Sequence, residues 1–474
     1  MVEIPLSLYR CKISSISLRV APTQVRCATV GMEVLAVISA VIRIVRSLVL
    51  PPAPYVTLTK SGFFSARRES ESHNLCSPAS SLGGKNSTEK VGFEEERVAS
   101  RRLKSIVGEG TLTFVSSSEV AANARTLIAS LRSQIDEEIS TFLGDAGSYI
   151  ESIGPELVPV STAMRNFLID GGKRFRPLLG AIGSMAVTGK SPDRAAVKAV
   201  ASLEFLHACA LIHDDVMDGS DTRRGNPSIH RRFESMHRQA GLSGDSAKYG
   251  EASAILLGDL ALIWADLILH RSGVGSDRLL SVLPIYDELR VELMAGQYLD
   301  VHEQSLASVD ADRSLKVAKY KSGKYSIERP LHFGARLSHG SDETLLALSR
   351  YGIPIGEAFQ LRDDILGVFG DPDETGKPAG DDLREGKRTV LIALAVKGSD
   401  EREIFTALGD PHLDQERIER LREVIISSGA LAQVEEMISD RAEQAHEALS
   451  SAAIADEAKP LLELMAQMAL HRSN

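Results

Sequence analysis

The segment from Arg194 to Asp218 constrains this chain more than any other. Between Ala195 and Ile212 it is almost wholly apolar, with no glycine or proline, and it is long enough to exclude a single strand. A helix that is apolar on most of its faces must be packed inside other elements. This one also ends in acid: Asp214, Asp215 and Asp218 follow directly on Leu211 and Ile212. The fold must therefore bury a central helix and still bring three carboxylates to its end.

The rest of the chain after about Glu119 repeats the same theme. Ala121, Ala124, Leu127, Ile128, Leu131, Ile135 and Ile139 recur at helical spacing. Further helices are expected over 250–271, 276–304, 311–337, 342–370, 388–398, 414–428, 430–449 and 457–471. Alternating β-branched runs are rare, and Phe, Trp and Tyr make up only 5% of the chain, which argues against a β-sandwich. The expected class is all-α, a bundle around a shared interior.

Residues 1–117 read differently. Pro51, Pro52, Pro54, Gly83 and Gly84 break any long period, and the apolar run from Val34 to Ile42 is too short to span a bilayer before Arg43 and Arg46 interrupt it. They are expected to be an N-terminal extension: a targeting segment, a disordered tail with a membrane-touching patch, or the result of a start codon set too far upstream. Residues 118–474 are expected to be the catalytic domain.

Charge separates the two parts. Residues 1–104 carry 15 Lys/Arg against 8 Asp/Glu, and the remainder carries 39 against 56. So acidic a body is a poor match for nucleic acid. Of the four cysteines, Cys11, Cys27, Cys76 and Cys209, none has metal-ligand spacing with another. The expected location is a reducing cytoplasm, with at most a peripheral attachment to membrane.

On a helix Asp214 and Asp218 share a face. Buried carboxylates repel one another unless a cation neutralises them, and hard carboxylate oxygens suit Mg²⁺, which also takes phosphate oxygens as ligands. A second apolar run, ending Phe359-Gln360-Leu361-Arg362, leads into Asp363 and Asp364, with Asp371, Asp381 and Asp382 beyond. Basic groups flank both: Lys173, Arg174 and Arg176 after Gly171-Gly172; Arg223 and Arg224; Lys321 and Lys324; Lys387 and Arg388. Arginine forks and lysine point charges suit diphosphates. His207 lies two helical turns before Asp214, on about the same face. The layout can hold two diphosphates, one through metal and one directly.

These motifs, GGKRFRP (171–177), LIHDDVMDGSDTRRG (211–225), Lys321-Ser322, FQLRDDILGVFGD (359–371) and GKPAGDDLREGKRT (376–389), resemble those of the trans-isoprenyl diphosphate synthases, or polyprenyl synthetases. The wording is most similar to the actinobacterial geranylgeranyl-type branch. The resemblance implies an isoprenoid synthase-type helical bundle around a central cavity, a homodimer, and about three Mg²⁺ ions per active site. It implies that Asp214, Asp215, Asp218, Asp363 and Asp364 serve the metals. Arg223, Lys321, Lys377 and Lys387 would bind the allylic diphosphate (dimethylallyl, geranyl or farnesyl), and Ser322 would contact substrate. Lys173, Arg176, His207 and Arg224 would bind isopentenyl diphosphate, and Gln360 would face the developing cation. Ser322 stands where the family usually has Thr. The family's second motif usually ends in a third Asp, here Gly367, which leaves open whether Asp371 substitutes.

The implied reaction is ionisation, condensation and elimination in a dry apolar cavity. Product length should follow cavity depth beside the helix that leads to Asp214. Small Cys209 and Ala210, one turn back, point to C20 or longer, with geranylgeranyl diphosphate favoured and Phe205 and Leu206 as a floor. A longer-chain or farnesyl synthase is the alternative. A class I terpene cyclase would not need the isopentenyl site, and a non-catalytic partner subunit would lose an acidic motif.

Overall fold

The structure, a computed structural model, describes residues 118–470 except 307, 372–379, 399–403, 405, 406 and 411. The expected extension and Lys377 lie outside the described residues. Apart from one two-residue hairpin, the described elements are helices.

Helix α1 (Ser118–Glu151) buries Leu131, Ile135 and Ile139 completely, the stripe its periodicity announces. A single 3₁₀ turn at Pro155–Leu157 leads into α2 (Val158–Ile169). Helix α3 (Phe175–Thr188) follows the glycine pair. Its Pro177 is tolerated in the first turn, where backbone N–H groups have no intrahelical partner.

Helix α4 (Arg194–Met217) packs against α1, α2 and α3. Asp193 caps it, accepting from Ala196 N at 2.7 Å. Leu203, Phe205, Leu206 and Ile212 are at most 1% exposed, each contributing roughly 1.5–3 kcal/mol by burial.

The hairpin β1 (Thr222–Arg223) and β2 (Asn226–Pro227) pairs Thr222 with Pro227 and Arg223 with Asn226. Both turn residues, Arg224 (φ 53°) and Gly225 (φ 74°), have positive φ, as a two-residue turn between twisted strands favours.

Helices α5 (Ile229–Gln239), α6 (Ser246–His270) and α7 (Ser276–Gln304) follow. By length and composition both α4 and α6 could cross a membrane, but 72% of the apolar window of α4 is buried inside the protein and only 44% of that of α6. Helix α4 is thus a core helix, whereas α6 keeps an apolar outer face.

The single helix expected over 311–337 is a continuous helical path with a change of pitch. Helix α8 (Ala311–Val317) passes into a π-helical segment, Ala318–Glu328, and then into α9 (Arg329–Leu337). The widened turns lie between α7 and α10 (Asp342–Phe369). Gly323 and Gly356 meet at closest approach: a Cβ on Gly356 would overlap the Gly323 backbone. A π segment inside a helix is rare and is found mostly at functional sites.

The chain ends with α11 (Asp381–Glu385), α12 (Val390–Gly398), α13 (Gln415–Ser427), α14 (Ala430–Ala448) and α15 (Lys459–Leu470). Helices α2, α3 and α5 were not expected from periodicity; the other long helices lie within a few residues of their expected bounds.

Candidate active site

A cavity of about 480 Å³ opens between α4, α7, the π segment, α10 and α11. Asp214 reaches it from α4, Gln297 and Asp300 from α7, Lys321 and Ser322 from the π segment, Gln360, Asp363 and Asp364 from α10, and Asp382 from α11.

The first acidic motif divides its labour. Asp214 accepts from Gln297 Nε2 at 2.7 Å and from Lys321 Nζ at 3.3 Å. Lys321 Nζ also lies 2.6 Å from Asp300 Oδ2. Burial works against ionised Asp214, but Lys321, Lys387 and Arg223 outweigh it and hold its carboxyl below the usual range. Asp218 is pushed up to about 6 by burial, with Lys387 pulling it down and Asp214 adding to the rise. Asp215, expected at the metal, is 1% exposed and does not line the cavity. Its carboxylate accepts from Arg223 Nε at 2.9 Å and from Nη2 as well. It thereby fixes Arg223 beside Asp214, 3.9 Å away.

Across the cavity Ser322 donates to Gln360, and Gln360 Nε2 donates to Asp364 Oδ1 at 2.8 Å. Burial pushes Asp364 up to about 8; the Gln360 hydrogen bond opposes this, while Asp382 and Asp363 add to it. Lys387 bridges the two acidic walls, 3.3 Å from Asp218 Oδ2 and 3.4 Å from Asp382 Oδ1, and it also pairs with Glu385.

A separate basic group occupies the α3 side. Arg176 lies over the Tyr325 ring, 4.4 Å from its centroid, and donates to Ser326 Oγ at 2.7 Å. Its Nε is buried without a hydrogen-bond partner. A buried orphan donor is costly and marks a place for an anion. Tyr325 Oη lies 3.4 Å from His207 Nδ1, and Arg224 joins the wall from the hairpin turn. Lys173 is exposed in the loop before α3 and does not line the cavity. Arg174 is structural: it is buried, it pairs with Asp136 at 2.6 Å and Glu204 at 2.8 Å, and its guanidinium packs against Gly172. Gly171 (φ 91°) and Gly172 (φ 102°) take a backbone form that side chains disfavour.

The apolar wall holds Ala210, Leu211, Leu293, Phe175 and Phe359, the two rings stacked at 5.7 Å. Two expectations are corrected here. Cys209 is fully buried off the cavity, its Sγ 3.8 Å from His213 Nδ1. Phe205 is not the floor; it packs edge-on against Phe142 (5.1 Å) and Trp264 (6.4 Å). Gln297, Asp300, Tyr325 and Asp382 were not singled out as site residues from sequence. The polar pair Gln297 and Asp300, three apart on α7, was the signal available for the first two.

Among the described residues no three His, Cys, Asp or Glu side chains are gathered tightly enough to ligate one ion. The carboxylates nevertheless fit Mg²⁺, which is bound by one or two carboxylates together with waters and substrate phosphate oxygens. Buried, elevated Asp218 and Asp364 are the groups that a cation would return to the ionised state.

A helical cavity with acids on two facing walls and a basic pocket beside them defines a class of enzyme that handles diphosphates. The polyprenyl synthetase family model matches residues 159–425, and the chain belongs to that family. It is a prenyltransferase of the trans-prenyl diphosphate synthase type. It is 33% identical to the geranylfarnesyl diphosphate synthase of Aeropyrum pernix over 325 residues, 68% of this chain and 96% of that protein. It is 32% identical to the nonaprenyl diphosphate synthase of Mycobacterium tuberculosis over 294 residues, 61% of this chain and 80% of that one. Among solved structures it resembles the geranylgeranyl pyrophosphate synthase of Corynebacterium glutamicum, complexed with isoprenyl diphosphate and magnesium. The identity is 39% and the TM-score 0.70, covering 72% of this chain and 98% of that one. The family is Mg²⁺-dependent and uses isoprenyl diphosphates.

Proposed function

We propose that this chain extends dimethylallyl, geranyl and farnesyl diphosphates with isopentenyl diphosphate and releases geranylgeranyl diphosphate, C20. The observation that carries the length is Ala210. It is small, it lines the cavity, and it lies one turn below Asp214, leaving room for a growing tail. The 39% identity to a geranylgeranyl synthase supports the same length.

The site residues divide accordingly. Asp214, Asp218, Asp363 and Asp364 would hold about three Mg²⁺ ions, with Asp215 acting through Arg223. When bound, Mg²⁺ supplies positive charge to the departing diphosphate. Lys321 and Lys387 stand beside the same carboxylates and add their own charge to the allylic diphosphate. Arg176, His207 and Arg224 orient isopentenyl diphosphate, whose double bond attacks the allylic carbon. Phe175, Phe359 and Leu293 exclude water from that carbon, and Gln360 faces it. Proton loss to the released diphosphate completes the step, with no protein base required.

A homodimer is part of this reading. Leu256, Ile263, Leu280, Val291 and Tyr298 on α6 and α7 are each more than half exposed, and large apolar side chains on two neighbouring elements suit burial against a second copy. Light scattering should give twice the chain mass; a monomer at micromolar concentration would overturn it. A reducing cytoplasm, with at most a peripheral attachment to membrane, suits the free, buried Cys209, and retention of the native protein in a membrane pellet after a high-salt and carbonate wash would contradict that placement.

For product length, the purified chain is given isopentenyl diphosphate with each allylic primer in turn and the end product is weighed by mass spectrometry. A C20 end product is expected from all three; a C15 or C25 end product would replace this length assignment.

A further inference from the structure

We infer that a second cavity, which shares Arg224 with the active site, binds a diphosphate group and draws Arg224 away from isopentenyl diphosphate. It encloses about 350 Å³ between α2, the hairpin and the start of α5. Ala163, Phe167, Pro227 and Ile229 give it an apolar lining, and Asn166, Asn226 and Arg232 add donors. Arg224 lines both this cavity and the active site.

The positive charge on this wall is unmatched. Arg223 is also present, but Asp215 neutralises it. Arg224 and Arg232 form no ion pair among the described residues, and the Arg232 guanidinium makes no hydrogen bond there either. Its neighbour Arg231 is by contrast tied to Asp221 at 2.6 Å and to Glu234 at 2.8 Å. The Arg224 guanidinium has one acceptor, Asp170 O at a long 3.5 Å, and lies over the Phe167 ring, 6.0 Å from its centroid. Partial burial lowers its pKa; Glu204 opposes this, while Arg174, Arg223 and Arg176 add to it, so Arg224 is a cation crowded by cations. Asp170 is the one acid of the lining, against two unmatched guanidiniums. Helix α5 begins at Ile229 on the same wall, which adds the positive end of its dipole. Arginine forks suit diphosphate oxygens. The reaction proposed above releases inorganic diphosphate at every condensation, and a prenyl diphosphate carries the same group.

The effect on isopentenyl diphosphate rests on that reading; the binding itself does not. The test is equilibrium dialysis of the full chain with radiolabelled inorganic diphosphate, followed by steady-state inhibition with isopentenyl diphosphate varied. Diphosphate held in the active site is insensitive to Arg232, which does not line it. Arg232→Gln should weaken the second site about tenfold or more and raise the inhibition constant by the same factor, with kcat and KM unchanged when no diphosphate is added. Asn166→Glu, which places a carboxylate on the wall from an exposed position on α2, should do the same. Geranylgeranyl diphosphate as a second ligand separates the sources. Arg232 dependence for inorganic diphosphate alone assigns the cavity to the free ion, and dependence for both assigns it to the shared group. Binding and inhibition unchanged in both variants, for both ligands, would overturn the inference. Binding lost in Arg232→Gln with the inhibition constant unchanged would overturn the hold on Arg224. A wild type that binds diphosphate in an Arg232-dependent way but joins no substrates would instead overturn the synthase reading.

Discussion

Lys387 Nζ stands 3.3 Å from Asp218 Oδ2, so one ammonium ties the end of the central helix to the short helix α11. Burial works against its charge, but Asp382, Glu385 and Asp218 outweigh burial and hold its pKa well above the usual lysine range. Lys387→Met would leave those carboxylates buried without a cation. The metal-free protein should lose about 3 kcal/mol of stability, read from urea unfolding. Mg²⁺ with a bisphosphonate should restore part of it. An unchanged urea midpoint would show that Lys387 carries no such charge.

Cavity depth gives the second prediction. Ala210 lines the cavity, whereas Cys209, its neighbour, is turned into the packing near His213. Ala210→Phe should shorten the end product, seen by mass spectrometry, with near-normal melting. Cys209→Phe should instead overpack the core and cost about 1–3 kcal/mol. If Cys209→Phe shortens the product and Ala210→Phe does not, the wall has been assigned to the wrong residue.

The third concerns Arg224, held at φ 53° in the hairpin turn. A side chain there costs roughly 1 kcal/mol relative to glycine. Arg224→Gly should therefore melt at the same temperature or higher, while KM for isopentenyl diphosphate rises about tenfold or more. A fall in thermal stability with KM unchanged would make Arg224 a structural residue only.

His332 sets a pH dependence remote from the chemistry. Its Nε2 lies 2.9 Å from Leu345 O, and its Nδ1 lies 3.3 Å from Arg329 Nη1. Burial lowers its pKa from 6.5 to about 4, with Glu328 pulling it up and Arg329 pushing it down. The folded value lies below the unfolded one, so stability is whole above about pH 6.5. As pH falls the unfolded chain takes up the proton first, and stability is lost down to about pH 4. The loss should be roughly 3 kcal/mol. Urea midpoints across that window should fall more steeply for wild type than for His332→Gln; equal slopes would place the imidazole in water.

Much of this was legible in the residues. The long helices α1, α4, α7 and α10 show themselves because an apolar stripe, or an apolar run with aspartates at its end, has few other ways to be buried. Helix α5 was missed because three arginines and two histidines mask its narrow apolar face, and α2 and α3 because they are short and begin beside prolines or glycines. The acidic and basic residues were legible as a set. Their directions were not: Asp215 turning to Arg223, Arg174 turning inward to Glu204 and Cys209 turning from the cavity all depend on which neighbour approaches. Asp382 over Gly367 is the extreme case, since the two residues are far apart in sequence and meet only when α11 folds back on α10. The π segment is likewise a product of packing, set where Gly323 meets Gly356.

The central claim is that one chain, with Mg²⁺, joins two diphosphate substrates head to tail. The most direct measurement is to incubate the purified full-length protein with Mg²⁺, isopentenyl diphosphate and farnesyl diphosphate and to weigh the products by mass spectrometry. A C20 diphosphate should form, and chelation of Mg²⁺ should abolish it. Recovery of both substrates unchanged from folded, Mg²⁺-supplied protein would contradict the claim.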